Sequence, residues 1–158
     1  MILMKEEEIN TMIKLQDILL EAKSKPVISI VDYRNGFEVG ASMDFSGTML
    51  DVGQVNIDFM GPVQVLRKGK LEIDKREYGE VGEAEVKRSQ RRKGIYKNMI
   101  LAAIKYAKKK GMKGIVSRQN RGQPRSDDAD MFWTKLERNQ NIYGIKVTVD
   151  DRNNYYAS

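Results

Sequence analysis

The sequence predicts a mixed α/β fold, and three observations carry that expectation. The chain has 158 residues, a length that suits one domain spanning 1–158. Its apolar periodicity changes along the chain. Helical spacing near the N-terminus gives way to a series of short β-branched runs, and then to helix, strand, helix and strand. Gly47, Gly53, Gly61, Gly69 and Gly79 fall among the β-branched runs, as expected for an antiparallel meander.

Each element has its own signal. Ile9, Met12, Ile13, Gln16, Ile18, Leu19 and Leu20 predict an amphipathic helix over Lys5 to Lys23 that ends before Pro26. Val27 to Tyr33 is a β-branched run closed by Arg34-Asn35-Gly36, a tight-turn sequence. Further strands are expected at Phe37–Met43, Thr48–Val52, Val55–Phe59, Val63–Leu66, Lys70–Asp74 and Glu80–Lys87. From Gly94 to Lys110, Ile95, Met99, Ala102, Ala103 and Tyr106 mark one face of a helix. Lys108, Lys109 and Lys110 suit the negative end of its dipole, and Gly111 suits its C-terminal cap. Lys113 to Ser117 predicts a short strand. After a basic loop, Arg118 to Arg125, Ser126 caps a helix that begins with Asp127 and Asp128 and reaches about Arg138. Ile142 to Val149 is the expected last strand.

Composition narrows the chemistry. With 41 % hydrophobic and 32 % charged residues the chain reads as globular rather than disordered. No apolar run approaches a membrane span. Met1 is followed by two apolar residues and then Glu6, Glu7 and Glu8, not by the basic start and long apolar run of a secretory signal, so the cytoplasm is the expected location. Cysteine is absent, which removes disulfides, thiolate zinc sites and cysteine nucleophiles. Histidine is absent too, so a Ser/His/Asp triad and histidine-ligated metals are excluded, and no metal is expected. Proton transfer then falls to Glu, Asp, Lys, Tyr or water. A net charge of +6 suits nucleic acid or a polyphosphate cofactor equally.

The chemically informative stretch runs from Glu80 to Gly111. A strand ends near Lys87, a basic loop follows, and Gly94 opens a helix. The first turn of a helix leaves backbone N–H groups unpaired at the positive end of the dipole, and a glycine there lets a phosphate come close. Lys87, Arg88, Arg91, Arg92 and Lys93 add positive charge. Taken alone, these residues fit a solvated basic turn as well as an anion site.

The run Arg91-Arg92-Lys93-Gly94-Ile95-Tyr96, with the helix to Gly111 and the strand Ile115-Val116 behind it, resembles the pyrophosphate motif of GNAT N-acetyltransferases. That motif reads Arg/Gln-x-x-Gly-x-Gly/Ala. Ala84-x-Val86 matches the strand whose backbone holds pantetheine. Ala129 to Leu136 resembles the family's second motif, Asn-x-x-Ala-x-x-x-Tyr-x-Lys-Leu. The likeness covers roughly the C-terminal half and is greatest to members encoded by phages and prophages. It implies a twisted, mostly antiparallel central sheet flanked by helices.

The resemblance also implies roles. Acetyl-CoA would be the co-substrate, bound by Ala84 and Val86 on the strand and by Arg91, Arg92, Lys93, Gly94, Ile95 and Tyr96 at the helix start. An amine on a small molecule or protein would accept the acetyl group, with Glu80 or Glu83, on or near that strand with Glu85, or a water as general base; the alternative is that all three glutamates are solvated strand carboxylates. On unbroken strand parity, Glu80 lies on the face of Ala84 and Val86, whereas Glu83 and Glu85 point the other way unless a bulge intervenes. Three positions depart from the pattern: Trp133 stands at the family's tyrosine acid, Ser126 at its asparagine, and Tyr96 at a small residue. Tyr143, Tyr155 and Tyr156 are substitutes for the acid or packing residues, and Arg118, Arg121 and Arg125 are acceptor-site or loop residues. Two function classes follow: an acetyltransferase, or a GNAT-like binding or structural module, which for a phage-encoded chain could belong to a virion. Nucleic acid ranks last as a partner, because no recognition motif is visible. A homodimer is left open.

Overall fold

The computed structural model describes residues 25–91, 94–119 and 124–158. The helix expected over Lys5 to Lys23 lies outside them. Strands β1 (Val27–Tyr33), β2 (Gly36–Phe45) and β3 (Thr48–Met60) form the meander that the turn residues predict. β4 (Val63–Arg67) and β5 (Lys70–Asp74) make a separate hairpin, and β6 (Tyr78–Val86) returns to pair with β3. Helix α1 (Ile95–Lys109), β7 (Gly114–Ser117), α2 (Asp127–Arg138), β8 (Val147–Val149) and β9 (Tyr155–Ala157) complete the order. Among the described residues the main sheet has seven strands, β1-β2-β3-β6-β7-β9-β8, and only the β6–β7 pair is parallel. The fold is therefore mixed α/β on a large, mostly antiparallel sheet.

Two expectations about strands are corrected. Thr48–Val52 and Val55–Phe59 are one strand, because Gly53 does not break the chain. Gly53 stays paired with Ala41 and Val86, and a Cβ there would lie 3.0 Å from Met99 and 3.3 Å from Ile95. The missing side chain thus serves close approach of α1 to the sheet. The strand expected over Ile142–Val149 begins only at Val147, because turn bonds from Ile142 N–H to Asn139 O and from Ile145 N–H to Gln140 O wrap the end of α2. β9, not singled out in the sequence, lies between β7 and β8. Three residues are too few to display a period of two.

The core has two parts, one on each face of the sheet. On one face Ile95, Met99, Ile100, Ala103, Ile104 and Ala107 of α1 pack with Phe37, Val39, Val55 and Ile57. Each large apolar side chain removed from water here contributes about 1.5–3 kcal/mol before the entropy of ordering is set against it. This stripe is rotated from the expected one: Ala102 and Tyr106 are only partly buried, while Ile100, Ile104 and Ala107 carry the contact. α1 ends with Gly111 N–H on Lys108 O and Met112 N–H on Ala107 O, a Schellman cap at the expected glycine. On the other face Val63 and Val65 of the hairpin cover Tyr78, Val116 and Tyr156.

One close approach yields a test. A Cβ at Gly114 would lie 2.0 Å from the backbone oxygen of Ala157 on the neighbouring strand. Gly114→Ala must push β7 and β9 apart, at an expected cost of about 1–3 kcal/mol. A lower midpoint in urea unfolding would register it, and an unchanged midpoint would refute it.

The end of the hairpin holds an ion pair with a pH signature. Arg76 forks both Asp74 carboxylate oxygens at 2.8 and 2.7 Å, and Tyr78 Oη donates to Asp74 Oδ2 at 2.8 Å. The Arg76 guanidinium holds the Asp74 carboxyl well below the usual range, whereas burial first, then Asp74, pushes the Tyr78 hydroxyl up to about 12. A depressed carboxyl stabilises the fold at pH above its unfolded value, and that contribution is lost as pH falls through the folded value. Asp74→Asn should therefore lower Tm at pH 7 and converge on the parent as pH drops below about 4. Parallel Tm profiles down to pH 2 would contradict this.

Candidate functional site

Strands β6 and β7 part company early. They pair only at Tyr78↔Gly114, Gly79↔Ile115 and Glu80↔Val116, although β6 continues to Val86. From Val81 onward, β6 is hydrogen-bonded to β3 on one side, and its other edge has no sheet partner among the described residues. An extended ligand backbone can pair with such an edge.

β6 also carries a bulge. Val55 pairs with Ala84 and Ile57 with Val81, so Gly82 and Glu83 together oppose Asn56. The bulge reverses the parity expected from an unbroken strand. Val81 and Val86 pack on the α1 side, and Ala84 faces that way opposite Val55. Glu80, opposite Asp58, and Glu85, opposite Gln54, lie on the other face. Glu80 therefore does not share a face with Ala84 and Val86. It sits where the strands diverge, half-buried, and Arg118 Nη2 donates to its Oε2 at 2.7 Å. Glu83 is exposed in the bulge. The glycine in Val81-Gly82-Glu83 was the one sequence signal for this irregularity.

The chain leaves β6 through a single 3-10 turn, Arg88–Gln90, and enters α1 at Gly94. Arg91 Nε donates to Val86 O at 3.1 Å, which ties the loop back to the strand. Gly94 is the N-cap residue with φ of +75°, and α1 has neither a side-chain cap nor an acidic residue in its first turn. Asn98 N–H makes the first bond to Gly94 O at 3.0 Å, so the amides of Ile95, Tyr96 and Lys97 precede the helical ladder. Gln90 is 8 % exposed and its Oε1 lacks a protein partner among the described residues, a feature the sequence did not flag. Arg92 and Lys93 lie outside the described residues.

Tyr96 turns inward. Its ring meets Phe132 of α2 edge-on at 4.6 Å, Phe132 meets Trp133 at 5.5 Å, and Trp133 stacks on Tyr155 at 5.9 Å. Burial pushes the Tyr96 hydroxyl up to about 12, opposed by the neighbouring Trp133 indole. Although close enough to oppose that shift, the Trp133 N–H makes no hydrogen bond of good geometry, and the side chain is fully buried. Trp133 is thus a core residue joining α1, α2 and β9. Ser126 caps α2 as expected, its Oγ accepting from Ala129 N–H at 3.2 Å.

The other aromatic and basic candidates also resolve. Tyr155 Oη lies 3.3 Å from Thr134 Oγ1, and Tyr156 Oη donates to Asp150 Oδ2 at 3.1 Å, both in packed surroundings. Tyr143 lies beneath the Lys97 ammonium at 5.3 Å. Arg125 does not sit in solvent. With its side chain 6 % exposed, it binds Asp130 at 2.8 Å and the backbone oxygens of Ser117 and Asn153, clamping α2 to the sheet end. Arg121 lies outside the described residues. Among those residues no group of three or more Asp, Glu, His or Cys could hold a metal, and no helix is long and apolar enough to cross a membrane.

Fold and site together define a mixed α/β protein with a split sheet and a helix that opens at a glycine without a side-chain cap. No protein-family model matches the chain, and no curated protein matches it. Among solved structures, the chain is similar to one in the crystal structure of the KacTA–DNA complex, at 14 % identity and a TM-score of 0.49, over 97 % of this chain and 79 % of that one. At that degree of likeness nothing about the neighbour's binding or activity passes to this chain.

Proposed function

We propose that the chain is a GNAT-type N-acetyltransferase that uses acetyl-CoA and an amine acceptor. One observation carries the reading: the free edge of β6 from Val81 to Val86 leads, through a loop tied back by Arg91, into the uncapped start of α1 at Gly94. The residues present fit the coenzyme. Among the described residues, a Cβ at Gly94 would meet only the flexible Lys97 side chain at 3.8 Å, which leaves room for a ligand beside the amides. Tyr96 packs on Phe132, away from the space a phosphate needs. Ala84 is small and exposed.

In this reading Arg91, Arg92, Lys93, Gly94, Ile95 and Tyr96 hold the pyrophosphate through backbone N–H groups and charge, and the backbone of Ala84 and Val86 pairs with pantetheine. Bound acetyl-CoA supplies an activated acyl thioester. The free amides of β6 are donors of the kind that stabilise a developing oxyanion. Glu80 reaches the split from the face opposite α1, so an amine enters from the hairpin side and gives its proton to Glu80 there. Arg118 holds that carboxylate in place. Glu80→Gln should cut kcat by about 10²–10⁴ with coenzyme affinity retained, while Glu83→Gln leaves both near the parent value. The opposite pattern would move the base to Glu83, and no effect of either would remove both.

The testing experiment pairs calorimetric titration of acetyl-CoA with mass-spectrometric detection of transfer to a broad amine panel. Neither binding nor transfer would end the proposal. A second reading, a coenzyme-binding module without turnover, is favoured by one observation: Trp133, where the resemblance places the proton donor, is sealed in the core. Binding without transfer would select it.

A further inference from the structure

We propose that the cleft between the β4–β5 hairpin and strands β6, β9 and β8 is a separate binding site for a small multivalent anion, a phosphate-bearing or polycarboxylate molecule. The cavity measures about 320 Å³, within the range of small-molecule sites. Arg67, Arg76, Lys113 and Lys146 line it together with Glu72, Asp74 and Ser158. Asp74 is already satisfied by the Arg76 fork and the Tyr78 hydroxyl. Among the described residues Arg67, Lys113 and Lys146 make no ion pair. Like charges converging in a partly enclosed space are costly until an anion joins them, and low-dielectric walls focus their field.

The walls are set before any ligand arrives. Asp151 N–H bonds Leu66 O at 2.7 Å and Gly69 N–H bonds Asp151 Oδ2 at 2.9 Å, which pins the hairpin to the β8–β9 turn. Lys113 N–H is held by Glu77 O at 2.9 Å, and Lys146 N–H by Ser158 O at 2.8 Å. Arg67 Nη2 rests on Thr148 Oγ1 at 3.2 Å, leaving its other guanidinium donors for a bidentate partner. The Tyr78 and Tyr156 hydroxyls donate to Asp74 and Asp150, so the cationic groups, not the phenols, would select the ligand. The cleft lies at the Tyr78–Gly114 end of the parallel pair, whereas Gly94 follows the other end of β6, so this site does not depend on acetyl transfer.

Thermal unfolding of the full chain, with inorganic phosphate or citrate at ionic strength balanced by sodium chloride, tests the site. A saturable rise in Tm is expected, about 5–10 °C at a hundred times Kd. It should disappear in Lys113→Gln/Lys146→Gln and persist in Gly94→Glu. The anion that saturates at lower concentration identifies the ligand class. A rise of equal size in the double variant, a rise lost only in Gly94→Glu, or no saturable rise would overturn the proposal. Should the double variant fail to fold, amide NMR shifts of the parent chain decide. Citrate must move Lys113 and Thr148 along one saturation curve, and their failure to move also overturns it.

Discussion

Gly94→Glu should weaken acetyl-CoA binding by about 100-fold or more, equivalent to about 3 kcal/mol. Two effects act in the same direction. The new side chain would extend from the helix start, where only Lys97 among the described residues lies within 4 Å, into the space the phosphates need. Its carboxylate would also satisfy the unpaired amides of Ile95 and Tyr96 and repel the ligand's charge. The φ of +75° adds strain for any residue with a Cβ, about 1 kcal/mol. Gly94→Asn separates the effects, because asparagine tolerates that conformation and brings no charge. Titration calorimetry should show asparagine binding far better than glutamate, with matching circular dichroism. Equal affinity for the parent and Gly94→Glu would take the coenzyme away from this junction.

Trp133→Ala should be the most destabilising single substitution at the α1–α2 contact, at about 3–5 kcal/mol. The indole is fully buried, meets Phe132 edge-on and stacks on Tyr155, so truncation leaves a cavity that three elements must close. Trp133→Phe should cost much less. It keeps an aromatic ring and removes an N–H that makes no hydrogen bond of good geometry among the described residues. Chemical denaturation of both variants measures the difference. A comparable loss for phenylalanine would mean that the N–H is satisfied after all, and an alanine variant within about 1 kcal/mol of the parent would remove Trp133 from the core.

How much of this was legible in the sequence depended on how local the cause was. β1 and β5 begin and end where β-branched runs and turn residues place them, and the caps at Ser126 and Gly111 hold because capping is decided within a few residues. Gly53 misled, since a glycine that ends a strand and one that admits a helix look alike in a sequence. The apolar stripe of α1 was found but set about a residue off, because Ala102 and Tyr106 fit the same period as Ile100 and Ile104. The face of Glu80 is not settled by the sequence: Gly82 is a signal for an irregularity, but the bulge at Gly82-Glu83 exists only in register with Asn56.

By itself, then, the sequence determined the mixed α/β class, the order of its central elements, and a glycine-opened helix placed after a strand and a basic loop. It also ruled out cysteine and histidine chemistry by composition. These are properties of residue type and spacing along the chain. Tertiary structure alone decided that β6 separates from β7 after Glu80, that Tyr96 and Trp133 face the core rather than the junction, and that Arg125 is a clamp. The physical reason is the range of the interactions. Helix caps and strand periods are fixed by neighbours a few residues away, whereas a sheet's opening and a side chain's burial depend on partners such as Gly114, Phe132 and Asn153, brought near only when the chain closes.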